Sequence, residues 1–510
     1  MQVLQEKNYD SAFCGSIPLH LINLIQPHGV LLILDKQNFN IVQVSENIEN
    51  VLGIPVNRIT GQPLSAFVEA RQMADIHSKT DKWDIKDRVS LNMEIKAGDQ
   101  SKLFSATVHI KEEYVMMELE ETRDDATIES FIHIYQEVKY IMAVLKEART
   151  TEEIGNITTA EIKKLSGFDR VMLYQFDKDW NGTVLGEARE KDMEPYLHLR
   201  FPASDIPRQS RDLYFKNPYR LIPNREFTPA RLLPVINPLT KTFTDLSDAT
   251  LRSVPAVHIE YLRNMQVMAS MSTAIIINKQ LWGIISCHHK APMYPNYEMR
   301  SAFELLANII AVQIAAKESE KDLLYKSQLN IINSQLIEQM YGSRDFVKGL
   351  MIKKTTIMKL FSASGAALYY EGELHVIGKT PRADQIKELI KWLQIQKIEK
   401  VYATDSLPRT FSKSQEYAGV ASGLIAFPIS YRKGEYVLGF RAEVIQTVEW
   451  GGNPNERIQI EPDGKTYHPR NSFATWKETV KFTSLPWAVQ EIEAAESLRT
   501  SVLERILTDK

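Results

Sequence analysis

Arg220 and Arg252 stand in separate stretches of this 510-residue chain, and each carries a guanidinium fork able to grip a carboxylate through paired hydrogen bonds. Ahead of the first runs Phe201-Pro202-Ala203-Ser204-Asp205-Ile206-Pro207, then Arg208, Arg211 and Tyr214. Pro202 and Pro207 each fix their own φ and restrict the residue before them, so Asp205 is expected on a stiff irregular loop. Cations and aromatics crowded together in this way suit a flat ligand bearing carboxylates. Just after Arg252, Pro255 is placed to open a helix on which His258 and Tyr261, three residues apart, share a face. Strand alternation puts Ser270, Ser272 and Ala274 on one face, and likewise Ile284, Ser286 and His288, so one sheet surface could offer hydroxyls and an imidazole to a ligand. Taken singly, each arginine also fits a surface ion pair, and a half-buried histidine satisfied by backbone is the commoner case.

Other chemistries are excluded by spacing. The glycine that a phosphate loop needs five residues before Gly378 or Gly464 is Glu373 or Gln459. No His-Glu-x-x-His helix or strand-elbow serine occurs. Cys287-His288-His289 looks like a metal tract, but alternation sends His288 to the face opposite Cys287 and His289, so no metal site is expected. Cys14, in an irregular N-terminal stretch, is open to an electrophile, though taken alone an incidental surface thiol is the commoner case.

The elements that must position these groups follow from periodicity. Length suggests about three domains at roughly 150 residues each. A 25% charged fraction and a net charge of -3 argue against nucleic acid or an anionic membrane as partner. No unbroken apolar run approaches the roughly 20 residues that cross a bilayer, and a cytoplasmic protein is expected. Short strands at Val30 to Asp35 and Ile41 to Val44, a helical piece at Ile48 to Leu52 and strand-like 103–119 describe a first α+β module. Helical spacing from 127 to 150, a helix start at Thr150-Thr151-Glu152-Glu153, and strands at 170–176, 183–188, 271–277 and 281–287 describe a second. The Pro-rich stretch 201–258 interrupts it, and an insertion of that length is usually functional. From Pro295 to Gly342 no proline or glycine intervenes, which predicts one helix of about 40 residues and roughly 60 Å. A third module has strands at 366–370, 424–430 and 436–441, a helix at 383–393, and a turn-rich arm over about 444–482. Ser484 and Pro486 predict the start of a closing helix whose apolar positions run almost to the last residue.

Jointly, Cys14 ahead of Ile25-Gln26-Pro27-His28-Gly29, the Phe201 to Pro207 stretch, His258 with Tyr261-Leu262-Arg263-Asn264-Met265, Leu281-Trp282-Gly283 with Cys287-His288-His289, Trp450-Gly451-Gly452 and Pro469-Arg470-Asn471-Ser472-Phe473 resemble a bacteriophytochrome photosensory core, in the order PAS, GAF, PHY, over essentially the whole chain. The resemblance implies an α+β fold of three sensor domains, each an antiparallel sheet flanked by helices and joined by long helices: PAS with the attachment segment at 1–122, GAF at 123–318, PHY at 319–510. It implies biliverdin, a linear tetrapyrrole, thioether-linked to Cys14. Val257 stands where relatives that use reduced bilins carry their cysteine.

The resemblance also assigns roles. The Asp205 backbone carbonyl and His258 would face the pyrrole nitrogens, with Ile206 and Pro207 beside them. Arg220 and Arg252, with Ser270 and Ser272, would hold propionates. Tyr174, Phe201, Tyr214 and Tyr261 would surround the outermost ring, and His288 would bond its carbonyl. Arg470 would pair with Asp205 in the dark state, with Ser472 or Trp450 exchanging place when the arm refolds. The Cys14 segment would thread a loop of the second domain. A homodimer is implied, with an output domain beyond this chain, as in relatives that end in a histidine kinase acting with a response regulator. The leading expectation is a red/far-red photoreceptor that is not itself an enzyme. A histidine kinase in full-length form, and a small-molecule sensor without photochemistry, are the alternatives.

Overall fold

The computed structural model describes residues 18–80, 88–97, 100–122, 128–455, 459–460 and 467–508. Two compact units result, Met1–Ala315 with Glu449–Trp476 and Ala316–Val448 with Lys477–Lys510. Cys14 lies outside the described residues.

The first unit holds two large sheets and the two-stranded pair Gln459–Ile460 with Tyr467–His468. In the N-terminal sheet the strand order is Leu24–Ile25, Ala230–Leu233, Ile41–Ser45, Val30–Asp35, Tyr114–Glu121, Gln100–Ile110, Arg88–Ala97. The run Val30-Leu31-Leu32-Ile33-Leu34 is buried on both faces, which explains why it is continuously apolar. Val30, Leu32 and Leu34 pack with Ile48, Leu52 and Ile76, whereas Leu31 and Ile33 pack with Leu232, Leu246 and Leu251 from the 223–254 loop.

Residues 20–26 run between the two limbs of that loop. Ile25 and Leu24 pair antiparallel with Ala230 and Arg231. From the other limb Leu246 N donates to His20 O at 2.9 Å, Ser253 N to Leu24 O at 2.9 Å, and Gln26 N donates to Leu251 O at 2.7 Å.

The second sheet runs Tyr219–Ile222, Ala269–Ile277, Gln280–His289, Arg170–Phe176, Gly182–Arg189, Arg200–Phe201, then the arm strands Gln446–Gly451 and Thr475–Val480. One face, with Val171, Leu173, Met271, Ile275, Ile285 and Cys287, packs on Ile141, Leu145, Ile154, Ile162, Phe303, Leu306, Ile310 and Ile314 from three helices. Thr150 caps one of these, Thr151–Ser166, by accepting from Glu153 N at 3.1 Å, as the sequence predicts. The opposite face carries Met172, Tyr174, Val184, Ala274 and Ile284, which cluster with Tyr196, Leu199, Phe201 and Phe473.

The helix of 297–341 is a single 45-residue element, Tyr297–Tyr341. Among the described residues it is the one helix that is long and apolar enough to cross a membrane by length and composition. Four of its apolar residues, Phe303, Leu306, Ile310 and Ile314, lie in the core just described.

In the second unit five antiparallel strands, Glu373–Gly378, Gly365–Tyr370, Glu435–Arg441, Gly423–Ser430 and Tyr402–Thr404, pack one face on Leu329, Leu336, Leu498 and Val502. The other face packs on Ile386, Leu389 and Leu393. The closing helix departs from expectation. It begins at Val489, with Ala488 N donating to Glu491 Oε2 at 2.8 Å, and Ser484 is not its cap. Arg441 explains the delay, because its guanidinium donates to Leu485 O at 3.4 Å and Pro486 O at 2.7 Å, which engages carbonyls that a helix starting there would use.

Candidate functional site

Register fixes the floor of the site. Arg220 lies opposite Ser272 and Ile222 opposite Ser270. Continuing across the sheet, Ser270 faces His288, Ser272 faces Ser286 and Ala274 faces Ile284, and Ser286 and Ile284 neighbour Met172 and Tyr174. Directly opposed residues of antiparallel strands share a face, so the serines, the imidazole and one arginine form a single polar and apolar lattice.

The walls are the two stretches that sequence singled out. Pro202 and Pro207 are extended and flank the short turn Ala203–Asp205. Pro255 caps the helix Ala256–Asn264, on which His258 and Tyr261 stack with ring centres 5.8 Å apart. Tyr261 donates to Asp205 Oδ2 at 2.9 Å, and the Tyr214 hydroxyl lies 2.7 Å from Ser272 Oγ. These contacts enclose a cavity lined by Tyr174, Phe201, Asp205, Ile206, Pro207, Tyr214, Arg220, Arg252, His258, Tyr261, Ser270, Ser272, His288 and Arg470. Leu19, Val257, Met265 and Ser286 line it too.

The charges inside are unbalanced. Arg220 donates to Thr250 O at 3.2 Å, Arg252 O at 2.6 Å and Ser253 O at 2.9 Å. Arg252 donates to Leu246 O at 3.1 Å and Ser247 O at 3.2 Å. Among the described residues neither guanidinium has a carboxylate partner. Burial, and after it the charge of Arg252, pulls Arg220 well below the usual arginine range; burial lowers Arg252 to about 10. Burial also holds His258 at about 4, with Arg220 acting in the same direction, and His288 at about 3, with Arg170 and His258 adding to it. Both rings are therefore neutral near pH 7. The His288 Nδ1 is buried without a hydrogen-bond partner, while Nε2 lies 3.3 Å from Ser286 Oγ.

The arm closes the cavity. Arg470 donates to Asp205 Oδ2 at 2.5 Å and to Gly451 O, and its guanidinium lies 4.5 Å from the centre of the Phe473 ring. Asn264 Nδ2 donates to Arg470 O at 3.2 Å, and His468 Nδ1 lies 2.9 Å from Glu260 Oε2. Trp450 pairs with Arg200 across the sheet, and Ser472 Oγ accepts from Ala474 N at 3.3 Å; neither lines the cavity. Sequence reasoning missed Ser286 as a lining residue, although its place on the His288 face was legible. It also missed Leu19, Met265, Glu260 and His468, for which no local pattern exists.

A cavity floored by one sheet, walled by a Pro-bracketed loop and sealed by an arm defines a ligand-binding sensor module. Family models match three consecutive regions: "PAS fold" over 14–122, "GAF domain" over 150–314 and "Phytochrome region" over 329–510. The chain is 40% identical over 499 residues to cyanobacterial phytochrome B of Nostoc sp., covering 98% of this chain and 66% of that protein. It is 33% identical over 503 residues to a bacteriophytochrome of Pseudomonas aeruginosa, covering 97% and 67%. A crystal structure of a bacteriophytochrome from the photosynthetic bacterium R. palustris superposes with a TM-score of 0.85 at 33% identity over 96% of this chain and 98% of that one. The Stigmatella aurantiaca phytochrome photosensory core module superposes with a TM-score of 0.84 at 36% identity over 99% of each. The chain belongs to the phytochrome family and carries the PAS, GAF and PHY regions of its photosensory core module. It spans 66% of the length of the Nostoc relative.

Proposed function

We propose that the chain is a red/far-red photoreceptor core that holds biliverdin in this cavity as a thioether on Cys14. The observation that carries the reading is the pair Arg220 and Arg252, the first partly buried and the second 6% exposed, bonded only to neutral carbonyls among the described residues, in the same cavity as an aromatic wall and the orphaned His288 Nδ1. Uncompensated buried cations are costly, and a linear tetrapyrrole brings two propionates, an apolar body and a terminal carbonyl. Arg220, Arg252, Ser270 and Ser272 would take the propionates, and His288 the carbonyl. Tyr174, Phe201, Tyr214 and Tyr261 would surround the outer ring, and Asp205 and His258 would face the pyrrole nitrogens between Ile206 and Pro207.

Attachment at Cys14 agrees with the chain's reach. Leu19 lines the cavity, and five residues of extended chain span at most about 17 Å. Cys287 is on the opposite sheet face, in the helix-packed core. Val257, before His258, supplies no competing thiol.

When bound, the pigment supplies the photochemistry, a double-bond isomerisation that turns its last ring. The protein's part is to hold the rings, exclude water and respond through the arm. The Arg470 to Asp205 bond is a contact that one packing of the arm makes and another would lose, which is what a two-state switch requires. Trp450 and Ser472 are the residues proposed to exchange place on refolding.

The long helices would relay the change to an output domain beyond this chain, a histidine kinase with its response regulator being the alternative for the full-length form, this chain itself being non-enzymatic. Leu305, Val312, Leu324 and Ile331, all at least half exposed, fall at seven-residue spacings within each pair and suit pairing with a second copy in a cytoplasmic homodimer. The experiment is an absorption spectrum of apoprotein mixed with biliverdin, before and after red and far-red illumination. A reversible far-red band is expected; a spectrum unchanged from the free pigment overturns the proposal.

A further inference from the structure

Glu118 sits on the strand Tyr114–Glu121 of the N-terminal sheet, outside the cavity and 1% exposed. A carboxylate this deep must be satisfied by donors, and three of its four come from the loop that leads into the arginine pair. Thr250 N donates to Oε1 at 3.0 Å, and Thr250 Oγ1 and Leu251 N donate to Oε2 at 2.8 Å and 2.6 Å. The fourth partner, His109 Nε2, lies 2.8 Å from Oε1. Burial alone would lift this carboxyl, but the His109 ring and the Leu251 and Thr250 N–H groups outweigh it and hold the group below its ordinary value.

The clamped backbone is the one that aims the guanidiniums. The carbonyls of Thr250, Arg252 and Ser253 accept three bonds from Arg220. Glu118 thus fixes the acceptors that orient Arg220, and it also puts a negative charge behind two cations that repel one another. We propose that Glu118 is a positioning residue for the carboxylate-binding pair Arg220 and Arg252, and so sets the cavity's preference for a ligand with free carboxylates over its neutral ester.

The inference rests on the biliverdin reading of the cavity. Glutamine in place of Glu118 would turn an NH2 group toward donors that include a backbone N–H, and would remove the charge. The 250–253 backbone would then have to shift.

The test is a fluorescence-quenching titration of the Cys14→Ala protein, where association is an equilibrium, with biliverdin and with biliverdin dimethyl ester. The parent should prefer the diacid. Glu118→Gln should reduce that preference about tenfold, the scale of one lost charge-assisted bond, by weakening the diacid and leaving the ester unchanged. Thr250→Val should move the preference the same way by a smaller factor, and Thr250→Ser should restore it. Equal weakening of both pigments, in Glu118→Gln or in Thr250→Val, would reduce Glu118 to a scaffold residue and overturn the inference, as would an unaltered preference. A parent that binds neither pigment overturns the biliverdin reading and this inference together, whereas a parent whose preference survives both substitutions overturns this inference alone.

Discussion

Arg470 reaches across 265 positions of sequence to Asp205, and both side chains of this ion pair are 6% exposed. Burial pushes the Asp205 carboxyl above its ordinary value, although Arg470 and the Tyr261 hydroxyl oppose it. Breaking one side of such a pair leaves an uncompensated buried charge.

Arg470→Ala is therefore expected to weaken arm docking by roughly 3–5 kcal/mol at pH 7. Hydrogen exchange across Gln446–Gly451 and Thr475–Val480 should report it as faster exchange, and the light-activated state should form less or decay at a different rate. Asp205→Asn in the same background should recover part of the loss, since it removes the stranded charge. An arm that exchanges as slowly as in the parent would end its proposed role as the switch.

Cys14→Ala is expected to leave the pigment extractable after denaturation. The check is the absorbance that stays with the polypeptide in acidified solvent. Cys287 offers no alternative thiolate, because burial raises its thiol far above the usual range. Pigment that stays attached in the Cys14 variant would place the bond elsewhere.

The site was legible in sequence wherever local geometry suffices. Strand alternation gave the shared face of Ser270, Ser272 and His288, and Pro255 marked the helix that stacks His258 on Tyr261. The missing proline and glycine from 296 to 341 gave the long helix. What escaped depends on which distant segments meet. Glu118 in Met-Met-Glu-Leu reads as an ordinary outward carboxylate, and nothing local says that the 250–251 backbone covers it. The two-sided pairing of residues 20–26 was expected only through the family resemblance, because these residues carry no alternation of their own. Ser484 and Pro486 are good helix-start residues, yet Arg441 captures their neighbouring carbonyls and the helix waits for Val489.

The buried histidines predict a pH dependence of the apoprotein. His258 at about 4 and His288 at about 3 stay neutral where the unfolded chain, at its ordinary 6.5, takes up protons. The unfolded state then binds more protons, so stability rises with pH in this window and is lost as pH falls from about 6.5 toward 4. Each histidine contributes a slope of up to about 1.4 kcal/mol per pH unit. Urea unfolding across this range should show the loss, and replacing both residues by glutamine should flatten the curve by about two protons. An unchanged slope would mean that the rings are protonated in the folded cavity.

Gly452 carries the sharpest steric prediction for the arm. Its φ is +98°, and a Cβ there would run into the Arg470 guanidinium and the Ser472 carbonyl oxygen. Gly452→Ala therefore combines two penalties, a backbone strain of roughly 1–3 kcal/mol and displacement of the side chain that reaches Asp205. Gly53 separates them. It also has a positive φ, +68°, but a Cβ there meets nothing within 4 Å. Gly53→Ala should cost a comparable strain in its own domain and leave arm exchange alone. Gly452→Ala should speed exchange across the arm toward the Arg470→Ala level, and the Gly452→Ala, Arg470→Ala pair should be much less than additive, because either change breaks the same bond. Additive effects would show that Gly452 is retained for its backbone alone, and that the arm's grip on Asp205 does not depend on how tightly the chain turns behind Arg470.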